Sequence, residues 1–422
     1  MAFLPHAQRW RALAVLVAWL LLLARSGAFQ TDTDHAELGL QTYLDCTRKD
    51  EKNDEPSNTR NNRGIADRDQ NQMEEAWREY EESLNIYRNL AQKDPETYSP
   101  YVAATLNDLG ILDSDQNRMK EARREYDESL NIYRNLAQKD PEAYLPKVAA
   151  TLNNLGILDR DKNRTEEALK IYRRLAQKDS ATYMPYVALT RNNLGNVDSA
   201  QNLMEEARKE YEEALKIYRK LAQKNPGTYL PDVATMLNNL GILDSARDRI
   251  KEARKEHEEA LKILRELAQK DPEDYLPYVA ATLNHVGMLD RDQNQIEEAL
   301  KTYRELAQKD PQTFLPEVAL TLNNLGILDS AQNRMKEGRN EYEEALKTYR
   351  ELAQKNPQTY LPDVAMTLNN LGILDRDHNR MAEARMEYEE ALEIYEAFAE
   401  QDPEQFTTDV KRLKKLLKEL PK

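Results

Sequence analysis

Cysteine is almost missing from this chain: Cys46 is the only one in 422 residues, so no intrachain disulfide can form in any compartment. Histidine is nearly as scarce, at five residues, and none stands near a plausible nucleophile or metal-ligand cluster, so neither catalysis nor a cofactor is expected. Of the 12 glycines, eight recur at one repeated position, which leaves few for phosphate-cradling loops. Phenylalanine numbers only five, while Ala, Leu, Glu, Lys and Arg abound, a composition that favours helix. A membrane span needs about 20 apolar residues, and the run from Ala12 to Ala24 falls short of it.

That run does resemble the core of a secretory signal. Arg9 and Arg11 precede it, and Ser26-Gly27-Ala28 follows with small residues where a signal peptidase reads. Residues 1–28 are therefore expected to be a cleaved leader and the protein to be exported, secreted or periplasmic; the alternative is an anchor through residues 12–24. Losing Arg9, Arg11 and Arg25 with the leader takes the formal charge from −15 to −18. Such a surface opposes nucleic acid and anionic membranes, and fits a neutral or basic polypeptide partner.

What the chain has in abundance is repetition. Variants of L-N-N-L-G-I-L-D place glycines at 64, 110, 156, 195, 241, 287, 326 and 372, at intervals of 46, 46, 39, 46, 46, 39 and 46 residues. Such a period marks stacked supersecondary units. In residues 100–141, Val102, Leu106 and Leu109 share one face of a helix A that should start after Pro100. Met119, Ala122, Tyr126, Leu130, Tyr133 and Leu136 mark a helix B, with Asn117 as its expected N-cap and Asp140-Pro141 as its end. Gly110 and Ala122 would let the two helices approach closely. The two 39-residue units lack seven residues of helix B, about two turns, which predicts shorter B helices in the third and sixth complete units by about 10 Å. The interval pattern itself repeats after 131 residues, the sign of a duplicated three-unit block.

Leu109-Gly110, Ala122 twelve residues later and Tyr126 four beyond resemble the tetratricopeptide repeat, in a long form similar to that of kinesin light chains and bacterial repeat proteins. The resemblance implies an all-α fold, a right-handed superhelical solenoid of antiparallel helix pairs, about eight repeats in residues 63–401. The family usually has an apolar residue three positions after the Gly, where this chain has Asp in every copy: 67, 113, 159, 198, 244, 290, 329 and 375. Residues 29–62 read as a degenerate N-terminal cap and polar linker, with Cys46 in a buried apolar slot, and the first copy's R-N-N-R-G-I-A-D lacks an apolar face. At 402–422, Val410, Leu413, Leu416, Leu417 and Leu420 form an amphipathic capping helix.

The resemblance also implies a binding face. Three residues before each Gly stands Asn, at 107, 153, 192, 238, 284, 323 and 369, after a worn first copy at Asn61. In the family this position faces the concave groove, where a ladder of amides can grip the N–H and C=O of an extended peptide. The second Asn of the pair is less constant, becoming Asp108 and His285. After helix A, D-x-D-x-N opens like a calcium loop, but lacks its Gly and its closing Glu, so helix capping and solvated charge are expected instead. The chain thus reads as a non-catalytic scaffold holding a peptide or protein segment in its groove. Two alternatives stay open: a structural spacer or oligomerising scaffold, and a non-catalytic subunit of an exported complex. Oligomeric state is not legible.

Overall fold

In the computed structural model, residues 73–421 are described; the leader, Cys46, Asn61, Gly64 and Asp67 lie outside them. Sixteen helices follow one another among the described residues: α1 (Met73–Ala91), α2 (Pro95–Asp115), α3 (Met119–Lys139), α4 (Pro141–Leu158), α5 (Lys162–Lys178), α6 (Ser180–Ala200), α7 (Met204–Ala222) and α8 (Pro226–Ala246), then α9 (Ile250–Ala268), α10 (Pro272–Asp290), α11 (Gln293–Lys309), α12 (Pro311–Ala331), α13 (Met335–Lys355), α14 (Pro357–Asp377), α15 (Met381–Gln401) and α16 (Pro403–Glu419). The chain divides into two compact units between Arg247 and Asp248. Within each, every helix packs on its sequence neighbours, even-numbered helices being type A and odd-numbered ones type B. The architecture is an all-helical repeat solenoid.

Helix A starts five residues earlier than expected. The Asp140-Pro141 junction ends one helix and begins the next: Asp140 closes α3 and its carboxylate caps α4, accepting from Ala143 N at 3.1 Å, with Pro141 in the first turn, where its missing N–H costs nothing. Pro100, Pro146 and their equivalents lie inside the helix instead. A buried tyrosine of helix B follows such carbonyls: Tyr172 Oη donates to Pro146 O at 3.3 Å and Tyr303 Oη to Pro277 O at 3.2 Å.

Asn117 is not the N-cap of α3. With Asn202, Asn333 and Asn379 it takes a left-handed conformation, φ between 60° and 64°, which Asn tolerates better than most residues. The next residue's N–H then reaches back five positions, Arg118 N to Asp113 O at 2.7 Å, and so closes helix A. In the short units the same closure falls three residues nearer the glycine, Asp161 N to Gly156 O and Asp292 N to Gly287 O, both at 2.8 Å. Asp161 and Asp292 then cap α5 and α11 at once. The seven missing residues are therefore shared between the two helices. α5 and α11 have 17 residues against 19–21 in the other B helices, a loss of about 6 Å from a 21-residue helix. B is shortest in the expected units, by less than expected.

The glycine that recurs is a seat for an aromatic ring. A Cβ on Gly110, Gly195, Gly326 or Gly372 would lie 2.5–2.8 Å from Tyr126, Tyr211, Tyr342 or Tyr388, each buried. In the short units Thr165 and Ile296 fill that space. Gly326→Ala would gain about 1 kcal/mol of helix propensity but must displace the Tyr342 ring, at about 1–3 kcal/mol. A net loss of up to about 2 kcal/mol with unchanged helicity is expected in denaturant melts; a gain would show that the ring has room to move.

The recurring Asp, expected to be solvated, is buried: Asp113, Asp198, Asp244, Asp329 and Asp375 are at most 1% exposed. Its charge is met from the preceding repeat's helix B. Lys162 Nζ lies 2.7 Å from Asp198 Oδ1, and Arg123, Arg208, Arg254 and Arg339 pair in the same way with Asp159, Asp244, Asp290 and Asp375. Asp113 and Asp329 turn to Arg118 and Arg334 beside them. This side-chain staple joins one repeat to the next. At the chain's end, α16 buries Phe406, Leu413 and Leu420 and leaves Val410, Leu416 and Leu417 half-buried. It repeats the start of an A helix, D-P-x-x-F-x-x-D-V, with Lys411 and Lys414 where α14 has Ala365 and Leu368.

Candidate functional site: the A-helix face

A and B helices differ in how they meet their counterparts in the next repeat. A helices come close enough to share amide hydrogen bonds, whereas B helices reach one another through long side chains, Arg88 to Glu128 at 2.7 Å and Arg304 to Glu344 at 2.6 Å. Within each unit the A layer is therefore the inner side.

The amides are built into that layer. Asn154 Nδ2 donates to Asn107 Oδ1 at 3.3 Å, Asn239 to Asn192 at 2.8 Å, Asn324 to Asn284 at 3.3 Å and Asn370 to Asn323 at 3.0 Å. The first Asn of one repeat thus accepts from the second Asn of the next. Asn284 also donates to Thr321 Oγ1 at 3.3 Å. Asn153, Asn192, Asn284, Asn323 and Asn369 are buried, and Asn107 and Asn238 half-buried. The row expected to lie open in the groove is turned toward the neighbouring A helix, about 100° around the helix from the second Asn. Within each unit the relay stops once. Asn193 turns to Asn192 in its own helix, and α16 has Leu416 in the register of Asn370. At those stops the Oδ1 atoms of Asn153 and Asn369 are buried without a hydrogen-bond partner.

The half-exposed stripe of each A helix holds four positions one turn apart. On α14 they are Asp363, Met366, Asn370 and Ile373; on α12, Glu317, Leu320, Asn324 and Ile327, of which Leu320 and Asn324 are buried. The first of these positions is acidic on α8, α12, α14 and α16 and is Tyr101, Lys147, Tyr186 and Tyr278 on the other A helices, while the third is Asn on most of them. Burial, reinforced by the charge of Asp363, pushes the Glu317 carboxyl up to about 7. Asp232, in the same row on α8, is pushed up to about 7 by burial.

Two substitutions that look unrelated in sequence meet here. His257, in the slot of the helix-B tyrosine, stacks on His285, in the slot of the second Asn, with ring centroids 5.1 Å apart and planes 7° from parallel. Burial pushes His257 down to about 4 and His285 well below its ordinary value, so the pair is neutral at physiological pH. Among the described residues no group of three or more potential ligands could hold a metal ion, and no helix is long and apolar enough to cross a membrane.

The tetratricopeptide repeat profile matches residues 57–135, 147–220, 186–266 and 317–397. Among curated proteins none matches. Solved structures similar to this chain include BtubC (BKLC) from P. vanneervenii, 22% identical, covering 57% of this chain and 91% of that one with a TM-score of 0.44. The apo form of RapI is 13% identical over 71% of this chain and 99% of its own, with a TM-score of 0.49. A Rap protein complexed with competence and sporulation factor is 15% identical over 92% and 99%, with a TM-score of 0.53, and shares the helical-repeat fold. With that profile spread over most of its length and its helix pairs stacked in sequence, the chain belongs to the tetratricopeptide repeat family, whose repeats serve as protein–protein interaction scaffolds.

Proposed function

We propose that this scaffold is exported and binds an extended peptide or protein segment across the inner face of its A helices. The observation that carries the reading is the face itself: on α14 an acid, a methionine, an amide and an isoleucine lie half-exposed one turn apart, on the side where A helices lie closest. Direct contact falls to Asn154 and Asn370, the half-buried members of the second-Asn row, and to the isoleucines beside them. Asn107, Asn153, Asn192, Asn238, Asn284, Asn323 and Asn369 act from behind, holding those amides in register. The Rap protein complexed with competence and sporulation factor is a fold analogue only.

Affinity capture from the source's secreted or envelope fraction tests this. Ile157→Arg and Ile327→Arg on the inner face should each lose the captured partner while keeping wild-type helicity, and Arg350→Ala on α13 should keep it. Retention by all three variants would overturn groove binding. A mature N-terminus other than one following Ala28 would overturn the expected cleavage.

A further inference from the structure

The helix pair α15 and α16 departs from the repeat in two places, with opposite signs. On the exposed side of helix B, α9 carries Lys262, Arg265 and Gln269 and α13 carries Lys347, Arg350 and Gln354; at the same positions α15 has Glu393, Glu396 and Glu400, all exposed. On α14 the face toward its own helix B holds Ala365, Leu368 and Gly372, the last seating Tyr388. In that register α16 has Lys411, Lys414 and Lys418, again all exposed. The two helices run antiparallel. They touch from Phe398 and Phe406 beside their junction, ring centroids 5.4 Å apart, to Arg385 Nη2 and Pro421 O at the far ends, 3.1 Å apart. Glu396 and Lys414 join the rows across the seam at 2.6 Å. Glu393 and Glu400 lie about 40–60° further round α15 than Glu396, and Lys411 and Lys418 about 40–60° further round α16 than Lys414. Because the helices are antiparallel, both rotations turn to the same side, away from the seam. Among the described residues none of these four side chains has an ion pair.

We infer that this face binds a second copy of the chain about a two-fold axis running along the seam between α15 and α16. Such an axis carries α15 of one copy opposite α16 of the other and leaves every residue at its own height. The heights match: measured from the Glu396–Lys414 pair, Glu400 is level with Lys411 and Glu393 with Lys418, each to within about 1.5 Å. Glu400 of each copy therefore meets Lys411 of the other, and Glu393 meets Lys418. A two-fold axis across the helices would instead set glutamate against glutamate. Met386, 69% exposed and two turns before Glu393 on the same stripe, adds apolar area to the contact. With a net charge of −15, copies repel one another except where unlike charges face. Helices of this length, each about 10 Å wide, offer about 600 Å² per copy, the low end for a specific interface. Exposed pairs each contribute little, so the association is weak and salt-dependent. It uses neither the amides nor the isoleucines of the inner face and stands apart from the proposed groove binding.

Sedimentation velocity of the full chain over a concentration series, at low and at high salt, tests this. The wild type should show a monomer–dimer equilibrium at low salt that shifts toward monomer at high salt. Glu393→Lys/Glu400→Lys and Lys411→Glu/Lys418→Glu should each weaken self-association about tenfold or more. Mixed, the two variants should form a one-to-one heterodimer, because one presents two basic rows and the other two acidic ones. A chain carrying all four changes, with the net charge of the wild type, should recover the wild-type equilibrium. A wild type that stays monomeric at low salt up to its solubility limit overturns the inference. So do double variants that self-associate as the wild type does, a mixture that forms no heterodimer, and a fourfold variant that stays monomeric. The substituted side chains are exposed, and melting temperatures check that each variant is folded.

Discussion

Lys162→Met should destabilise the protein by about 3 kcal/mol near pH 8, a large share of a typical domain's stability. Methionine keeps the aliphatic stem but leaves Asp198, 1% exposed, without its cation. The other charges acting on Asp198 are those of Glu166 and Glu206, both acidic, so nothing else nearby offsets it. Asp198 already has a carboxyl raised above the ordinary value by burial, even with Lys162 beside it. Removing the lysine raises it further, and the folded state then prefers the protonated acid. Stability of the variant should fall as pH rises above the unfolded carboxyl's value near 4, and its deficit should shrink toward acid pH. Adding Asp198→Asn should restore most of the loss at pH 8, as expected when the defect is an unpaired buried charge. A Lys162→Met protein that melts with the wild type in denaturant at pH 8 would show that Asp198 needs no partner.

That staple shows what repetition in a sequence reveals and what it hides. The eightfold glycine, the alanine twelve residues on and the tyrosine beyond it report local packing within one helix pair, and their spacing was enough to place the helix pairs of the described residues. The two prolines of each junction were harder, because either suits a first turn; Asp at the cap position decides for the earlier one. Asn117 shows the same limit, since capping and left-handed helix closure both favour Asn and only the returning N–H distinguishes them. The two asparagines differ by one step of about 100°, and which of them meets the next A helix depends on how repeats lean together, a relation no single repeat contains. The buried Asp looked like a solvated turn because its partner lies a whole repeat upstream. Its signature was nonetheless present: Arg123, Lys162, Arg208, Arg254 and Arg339 each stand 36 residues before the Asp they meet, in short and long units alike.

The same buried Asp forms a second interaction, and replacing its partner should make the protein more stable in alkali. Glu125, Glu341 and Glu387 on helix B meet Asp113, Asp329 and Asp375 on helix A, and each glutamate is pushed up to about 8 by burial first and by the facing Asp second. Two carboxyls in contact share a proton, and the adjoining Arg124, Arg334 and Arg339 pull only partly the other way. Folding therefore takes up protons between pH values of about 4.5 and 8. The contribution of each pair is complete below the unfolded value, declines as pH rises through that window and is gone above it. Arginine and water at the turn soften the loss to about 1–2 kcal/mol per pair. The turn between α6 and α7 supplies an internal contrast, because Glu210 there meets Arg191, a residue in a register occupied by leucine in other repeats. In Glu125→Gln/Glu341→Gln/Glu387→Gln, the new amide donates to Asp at any pH, as the shared proton does only in acid. Near pH 5 the variant should melt close to the wild type, and near pH 9 it should be more stable by about 3 kcal/mol or more, the sum over three separated turns. Glu210→Gln, made alone, should instead destabilise by leaving Arg191 short of its anion. Melts of these proteins across that range decide the point, and a wild type and triple variant that lose stability in parallel would show that no proton is held at these turns.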